Sequence, residues 1–276
     1  MTQLKKEIIK LADNEYCIRD YNLDNYYLIV GDKKSALIDT GSGIGDPRLE
    51  IREITDKDIL VLLTHGHLDH AGNAYYFDDI YMNERDDELL DEHFGNPDMI
   101  KWFIETRGPV RFPKGDIEEL KSYVNENMPD KFKYKNVSEG DKFELGTTVL
   151  TTIEIPGHTK GSVGYLSSST KYLYAGDALN QGIIIPCKSK EKGTTKKEIE
   201  TMRSSLENLM NYYEDIDKIC MGHDGPFKDK SIIKDYLSLC KDLLSGKIKG
   251  QYESQEIREG YVVRRGLAEF WYEAYR

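Results

Sequence analysis

Apolar residues in this chain occur in short runs that are separated by polar turns. Residues 26–30 and 35–39 are two such runs, and they flank the polar segment 31–34. This pattern predicts a β-hairpin. Residues 143–145 and 147–155 repeat the pattern in the second half, so both halves of the chain are expected to begin their sheet with a hairpin.

Further runs extend this mixture of strands and helices. Between residues 196 and 213 apolar side chains recur at helical spacing, which predicts an amphipathic helix, and another helix is expected after Ser231. The chain is therefore expected to have an α/β fold. Further strands are predicted at residues 59–63, 163–166, 171–175 and 217–220.

Two segments depart from this alternation. Residues from about 84 to 135 form a mostly helical, aromatic-rich insertion, whose rings either complete a core or wall a substrate pocket. Residues from about 250 to 276 form an apolar tail, which we expect to dock on its own subunit or on a second one, so a homodimer is one expectation. The aromatic residues of the insertion are Phe94, Trp102, Phe103, Phe112, Tyr123, Phe132 and Tyr134.

No linker interrupts the pattern of strands and helices, which predicts one domain over residues 1–276.

Composition and charge narrow the expected partners. The chain has 276 residues and a net charge of −11, and its lysine cluster at 188–197 is interrupted by Glu191. Proteins that bind nucleic acid present basic stripes, so no nucleic-acid partner is expected. The N-terminus lacks a signal-peptide pattern, and no apolar run reaches membrane-spanning length. We therefore expect a cytoplasmic protein without a membrane partner.

The four cysteines do not predict a disulfide-bonded or metal-bound structural element. They are scattered and include no C-x-x-C pair, so neither a disulfide scaffold nor a zinc ribbon is predicted. Burial is the expected state of Cys240, which lies on an apolar helical stripe. The four are Cys17, Cys187, Cys220 and Cys240.

The candidate chemistry begins directly after the first buried strand. Residues 64–70 read THGHLDH and hold three of the six histidines. Strand alternation aims His65 and His67 the same way, whereas Asp69 and His70 reach a different point. The residues that follow can begin a helix whose N-terminus faces the site. Two adjacent metal ions are easier to accommodate here than one.

Three more candidate ligands follow predicted strands in the second half. His158 comes after residues 147–155, Asp177 after residues 171–175, and His223 after residues 217–220, and each has a glycine beside it. A catalytic zinc ion uses three protein ligands and leaves one position open for water. Two ions therefore need these donors in addition to the histidine string.

The order HxHxDH, then H, D and H, resembles the metallo-β-lactamase superfamily from about residue 26 to 227. The resemblance implies a four-layer αββα sandwich, in which two mixed sheets pack face to face and helices lie outside. It also implies that Asp39, in the segment Ile38-Asp39-Thr40-Gly41, orients ligands through hydrogen bonds.

The resemblance further implies a dinuclear site, with zinc expected and manganese or iron as alternatives. The first ion would take His65, His67 and His158, and the second Asp69, His70 and His223, with Asp177 bridging the two. A metal-bridging hydroxide would attack a small ester, thioester or lactone, and Asp69 would act catalytically by carrying a proton to the leaving group.

Other functions stay open from the sequence. Lactonases of this superfamily place a tyrosine just after the bridging aspartate, whereas Ala178 follows Asp177 here. Glyoxalase-II-like thioesterases have a basic tail pocket, which the sequence does not locate beyond a few tail lysines and arginines. A phosphodiesterase or nuclease, a single-iron oxygenase like the persulfide dioxygenases, and a non-catalytic metal-binding module are the alternatives.

His93 is the one histidine outside the clusters and the Gly-His corners. It follows Leu89 by four residues, so it shares a helix face with an apolar side chain. We therefore predict a structural role for it rather than metal binding.

Overall fold

The computed structural model describes residues 4–113, 115–186, 194–255 and 258–274. Cys187 and the lysine-rich residues 188–193 lie outside these ranges. The strands in chain order are β1 (Glu7–Ala12), β2 (Glu15–Asp20), β3 (Asp24–Val30), β4 (Ser35–Ile38), β5 (Ile59–Leu62), β6 (Ile80–Met82), β7 (Lys135–Asn136), β8 (Lys142–Glu144), β9 (Val149–Glu154), β10 (Val163–Ser167), β11 (Tyr172–Gly176), β12 (Gly182–Pro186), β13 (Lys218–Met221), β14 (Phe227–Asp229), β15 (Gln251–Gln255), β16 (Arg258–Arg265) and β17 (Ala268–Ala274). The helices are α1 (Arg48–Arg52), α2 (Leu68–Ala71), α3 (Asp87–His93), α4 (Pro97–Arg111), α5 (Ile117–Ser122), α6 (Thr194–Leu209) and α7 (Ile232–Leu244).

Two mixed sheets form the centre of the molecule. Strands β1 to β7 follow one another in the first sheet, antiparallel as far as β4 and parallel from β4 onward. The second sheet has the order β14-β13-β11-β10-β9-β8, and its one parallel pair among the described strands joins β11 to β13. The two predicted hairpins are β3–β4 and β8–β9.

The central strands are buried on both faces. Tyr27 and Ile38 of the first sheet share the core between the sheets with Tyr174 of the second. The adjacent positions Leu37 and Leu173 lie instead in the two outer cores, beneath helices. Strands covered on both sides consist of continuous apolar residues, which explains the runs in the sequence. The predicted four-layer αββα sandwich is confirmed.

Helices cover the two outer faces. From the aromatic-rich segment, α3, α4 and α5 bury Leu90, Ile104 and Leu120 against the first sheet. On the second sheet, α6 and α7 bury Met202 and Tyr236. Among the described helices, none is both long and apolar enough to cross a membrane.

A third sheet, which the sequence did not predict, contains the C-terminal tail. Its order is β12-β17-β16-β15, with β12 parallel to β17 and the other pairs antiparallel. Phe270 of β17 packs in the core of α6 and α7. The Tyr236 hydroxyl on α7 lies 3.0 Å from the carbonyl oxygen of Glu269 and 2.6 Å from that of Asn180. The tail therefore packs on its own chain.

Candidate metal centre

The predicted ligands lie where strands of both sheets end. His65 and His67 follow β5 of the first sheet, whereas His158 follows β9 of the second. Asp177 and His223 follow β11 and β13. Because these two strands are parallel neighbours, the residues after them meet at one edge of the sheet. The structure brings all seven predicted ligands together at this edge, in two clusters.

The first cluster consists of three imidazoles. Nδ1 of His67 lies 3.0 Å from Nε2 of His65 and 3.0 Å from Nε2 of His158. Burial, with help from the neighbouring imidazoles, lowers the pKa of His65 well below its usual value. Burial and the nearby His158 lower the pKa of His67 to about 3. His65 and His67 are therefore neutral near pH 7, and neutral imidazole is the form that binds a cation.

The second cluster contains carboxylates as well as imidazoles. Nε2 of His223 lies 3.4 Å from the carboxylate of Asp69 and 3.2 Å from that of Asp177. Nε2 of His70 lies 3.2 Å from Asp177, which also comes within 3.7 Å of Nε2 of His158 in the first cluster. Asp177 therefore stands between the two clusters, in the position of a bridging ligand.

Charge in the second cluster has the opposite effect on its imidazoles. Burial alone would lower the pKa of His223, but Asp177 and Asp69 outweigh it and raise that pKa well above its usual value. The pKa of His70 is likewise raised, because nearby carboxylates outweigh its burial. Without a cation, these two rings hold protons at neutral pH.

Hydrogen bonds orient the histidines towards the clusters. Nδ1 of His158 lies 2.7 Å from the carbonyl oxygen of Ile184, and Nδ1 of His223 lies 2.7 Å from that of Leu23. A carbonyl oxygen only accepts, so each Nδ1 carries the hydrogen and donates it. Each Nε2 is left to face the cluster as a donor for a cation.

Asp39 anchors the histidine string from the end of β4. Its oxygens accept the backbone N–H of Thr64 at 2.7 Å and the Thr64 hydroxyl at 2.8 Å. Its Oδ2 also lies 2.9 Å from Nδ1 of His70. Asp39 has a positive φ of 61°, which turns the chain as the strand ends. These contacts give Asp39 the orienting position that the resemblance implies.

Asp86 anchors the first cluster, and sequence reasoning missed it. Its carboxylate accepts the backbone N–H of Gly66 at 3.0 Å, between the two histidines of the string. It also accepts the Thr159 hydroxyl and the Gly161 N–H, each at 2.7 Å, just after His158. Asp86 is buried and ties the two histidine loops together. Its position in the sequence gave no signal, because all three partners are distant from it along the chain.

The helix after the string differs from the prediction. The sequence predicted that a helix begins at about Ala71, whereas α2 ends there and contains Asp69 and His70. The N–H of Gly72 donates to the carbonyl of Gly41 at 3.1 Å. A Cβ at Gly72 would lie only 2.5 Å from the backbone nitrogen of Gly43. The helix therefore ends where the chain packs against this neighbouring loop.

A cavity of about 440 Å³ opens over both clusters. Helix α4 supplies an apolar wall that includes Met99, Trp102 and Phe103. Other aromatic residues of the segment, including Phe94, pack in the core, so its rings are divided between the core and the wall of this cavity. Basic residues also line this cavity, namely Arg107, Arg111 and Arg258.

His93 also belongs to the cavity wall. Its ring stacks on that of His67, with centroids 5.7 Å apart and planes at 18°. The sequence had placed it on an apolar helix face with a structural role. Leu89 of the same helix is buried, as expected, but the His93 ring lies beside a potential ligand. The sequence did not predict this contact, because His93 and His67 lie on different elements that only the fold brings together.

The donor chemistry fits divalent cations. Nε2 of His70 is buried and makes no hydrogen bond of good geometry to any described residue, although the Asp177 carboxylate lies 3.2 Å away. Such an orphaned polar atom in a native site calls for an ion or a water. At Gly222, a Cβ would lie 2.3 Å from Oδ1 of Asp177, so only glycine fits beside the cluster. The backbone is thus fitted to side chains that converge on a small volume.

The layered fold, with imidazoles in one cluster and imidazoles beside carboxylates in the other, has the arrangement of a metalloenzyme. Residues 22–223 match the family described as the metallo-beta-lactamase superfamily, and the chain belongs to that superfamily as a hydrolase.

Two relatives are hydrolases by name, and a solved structure has the same fold. The human acyl-coenzyme A thioesterase MBLAC2 is 26% identical over 223 residues, which are 75% of each chain. The hydroxyacylglutathione hydrolase GloC of Haemophilus influenzae is 27% identical over 203 residues, covering 70% of this chain and 81% of its own. The crystal structure of the DIM-1 metallo-beta-lactamase has a TM-score of 0.58 at 17% identity, covering 87% of this chain and 99% of its own.

Proposed function

We propose that this protein is a dinuclear metal-dependent hydrolase of small-molecule thioesters. The observation that carries the proposal is the position of Asp177, 3.2 Å from His223 in one cluster and 3.7 Å from His158 in the other. A shared carboxylate between two donor clusters is what a two-cation site requires. Both clusters contribute residues to one cavity, so a substrate there reaches both.

The proposed donors are those implied by the sequence. When bound, two divalent cations would supply an acidified water as nucleophile and a Lewis acid for the substrate carbonyl. Hydrolysis then forms a carbon–oxygen bond and breaks the carbon–sulfur bond, and the thiol leaves with a proton. The first site uses His65, His67 and His158, the second Asp69, His70 and His223, and Asp177 is shared.

Asp69 is placed to move the proton in this reaction. Its side chain is 18% exposed and lines the cavity, and it lies 3.4 Å from Nε2 of His223. A hydrogen-bonding carboxylate that is accessible from the cavity can carry a proton to the departing sulfur. Asp69 is therefore proposed both as a ligand and as the catalytic proton carrier.

The cavity wall supports a thioester whose thiol portion is anionic. Arg111 pairs with Asp224, and Arg258 lies 3.7 Å from Glu269, so these guanidinium groups are held over the cavity by carboxylates. Guanidinium groups match phosphate and carboxylate groups geometrically. The relatives named as an acyl-coenzyme A thioesterase and a hydroxyacylglutathione hydrolase act on thioesters of anionic thiols. The aromatic wall of α4 would contact the acyl portion.

The test is a substrate panel run on metal-loaded and chelated protein. We expect hydrolysis of an anionic thioester that is lost on chelation and restored by added cation, and slower turnover of a lactone and a phosphodiester. The variant Arg258→Gln should raise KM for an anionic thioester severalfold and leave a neutral thioester unaffected. Arg203→Gln, on the outer helix α6, is the matched control.

Two results would contradict this proposal. Faster turnover of the phosphodiester than of every thioester would favour the nuclease branch of the superfamily. One iron per chain together with oxygen consumption would favour an oxygenase. Zinc as the native metal, a cytoplasmic location and a homodimer stay predictions from the sequence.

A further inference from the structure

Asp24 is a buried carboxylate that the seven-ligand scheme does not use. It is the first residue of β3, and its relative exposure is 1%. Neither carboxylate oxygen has a hydrogen-bond partner among the described residues. Its Oδ1 lies 3.8 Å from Nε2 of His70. A carboxylate oxygen of Asp24 and the ring nitrogens of His70 and His223 all lie within 4.8 Å of one another.

A buried carboxylate without partners is strongly unfavourable, so its presence needs a reason. Burial raises the pKa of Asp24 well above its usual value, and His70 partly offsets this. His70 and His223 are also the nearest groups that could carry a positive charge, but each already faces Asp177 at 3.2 Å. A cation in the second cluster would provide the missing counter-charge.

The backbone holds Asp24 firmly in this position. The N–H of Asn25 donates to the carbonyl of Gly222 at 2.7 Å, and its side-chain amide donates to the carbonyl of Met221 at 3.2 Å. On the other side, the carbonyl of Leu23 accepts from Nδ1 of His223. Hydrogen bonds therefore join the residues on both sides of Asp24 to the segment that carries His223. These contacts between the two sheets place Asp24 next to the second cluster.

We propose that Asp24 is an additional donor to the second cation. This inference rests on the proposed two-cation function. Donor atoms about 2.0–2.2 Å from one ion lie about 2.8–4.4 Å apart, a range that includes the 3.2–3.8 Å separations from His70 to Asp177 and Asp24. The second site then has two imidazoles and three carboxylates, which leaves one position open in a six-coordinate ion. These donors are Asp24, Asp69, His70, Asp177 and His223.

The donor set determines which metals each site prefers. Three carboxylates and a six-coordinate geometry favour manganese or iron(II), whereas the imidazole-only first cluster suits zinc. The second position would therefore discriminate less against manganese than the first. Without Asp24 the second cluster would have two carboxylates instead of three. Its donors would then differ less from those of the first cluster, and the difference in metal preference would be smaller.

The experiment measures cation binding to the full-length, metal-stripped protein. Wild type, Asp24→Asn and Asp20→Asn are titrated with manganese and with zinc by calorimetry, and bound manganese is followed by its paramagnetic resonance signal. Asp20 is a matched control, because it is buried in the same sheet but pairs with Lys6 at 3.0 Å. We expect Asp24→Asn to keep one tight zinc site and to weaken manganese at the second site at least hundredfold, while Asp20→Asn keeps both.

Stability gives a second readout that does not depend on activity. Because the proposed role of Asp24 is realised only when a cation is bound, Asp24→Asn should gain less in melting temperature than wild type when manganese is added. If the variant does not fold, a manganese-loaded wild-type crystal is decisive. An Asp24 oxygen within about 2.4 Å of the second ion supports the inference, and one beyond about 3 Å overturns it.

Failure of this inference is separable from failure of the proposed function. Two cations in wild type and the same two affinities in Asp24→Asn would overturn the role of Asp24 alone. Fewer than two cations in wild type under replete conditions would overturn the dinuclear function itself.

Discussion

The two donor clusters lie side by side but differ in charge. The first is built from imidazoles alone, and burial lowers the pKa values of two of them, His65 and His67. The second places imidazoles next to carboxylates, which raise the pKa values of His70 and His223 despite their burial. If each cluster holds a cation, as proposed, binding at the two sites should depend differently on protons and on metal identity.

The largest expected effect comes from the residue that both clusters share. Asp177→Asn should remove the charge between the sites, lower kcat/KM by roughly a thousandfold and reduce bound cation below two per chain. Metal analysis and thioesterase kinetics check this. Asp217→Asn, an exposed aspartate just before β13, should change neither. Equal metal content in Asp177→Asn and wild type would show that the clusters do not share this ligand.

Cation binding at the two sites should depend differently on pH. Because His70 and His223 have raised pKa values, a cation at the second site must displace protons, so lowering the pH from 7.5 to 5.5 should weaken that site by about a hundredfold for each proton released. The first site should change less over this range, because burial lowers the pKa of His65 and brings that of His67 to about 3, so these two rings hold no proton for a cation to displace. Zinc titrations of metal-free protein at both pH values measure this. Equal weakening of both sites would contradict the comparison.

Each cluster should respond to its own anchoring carboxylate. Asp39 contacts the His70 ring directly and reaches the first cluster only through Thr64, whereas Asp86 holds the loops of the first cluster. Asp39→Asn should therefore weaken the second site about 10–100-fold, and Asp86→Asn the first by a similar factor. Each variant serves as the control for the other in metal titrations. Identical losses at both sites in either variant would mean that the anchors act on the centre as one unit.

The smallest effect is expected at the cavity wall. Trp102 is 53% exposed and lines the cavity, so Trp102→Ala should raise KM for thioesters with long acyl chains severalfold and leave metal content unchanged. Leu49→Ala, also an exposed apolar residue, is the control and should have no kinetic effect. Unchanged KM across acyl lengths would place the acyl-binding wall elsewhere.

The sequence predicted those strands and candidate ligands that are marked by patterns only a few residues long. An apolar run precedes His65, and a glycine stands beside each of His158 and His223. These short patterns marked the histidines as candidate ligands, and the structure brings the two halves of the chain together, with His158 3.0 Å from His67. Asp39 was found because it lies in a short element of the resembled family. The strand ends were predicted closely for the same reason, since a doubly buried strand is an uninterrupted apolar run.

The missed features depend on contacts between distant segments. Asp24 and Asp86 derive their positions from partners around residues 222 and 161, which no spacing rule connects to them. His93 has an ordinary helical setting, and only the fold stacks it on His67. The third sheet was missed because β15 is polar and largely exposed, and because β12 pairs with a strand far along the chain. Side-chain pattern carries little information about such pairings.

The late pairing of β12 has a consequence for the protein during its synthesis. Ile183 pairs with Phe270, close to ninety residues later in the chain. At a translation rate of about 5–20 residues per second, β12 emerges roughly 4–18 s before its partner exists. For that interval its apolar strand has an open edge, which favours association with other chains. Ile184, whose carbonyl lies 2.7 Å from Nδ1 of His158, is in this same strand, so the pairing that completes the third sheet also supports the first cluster.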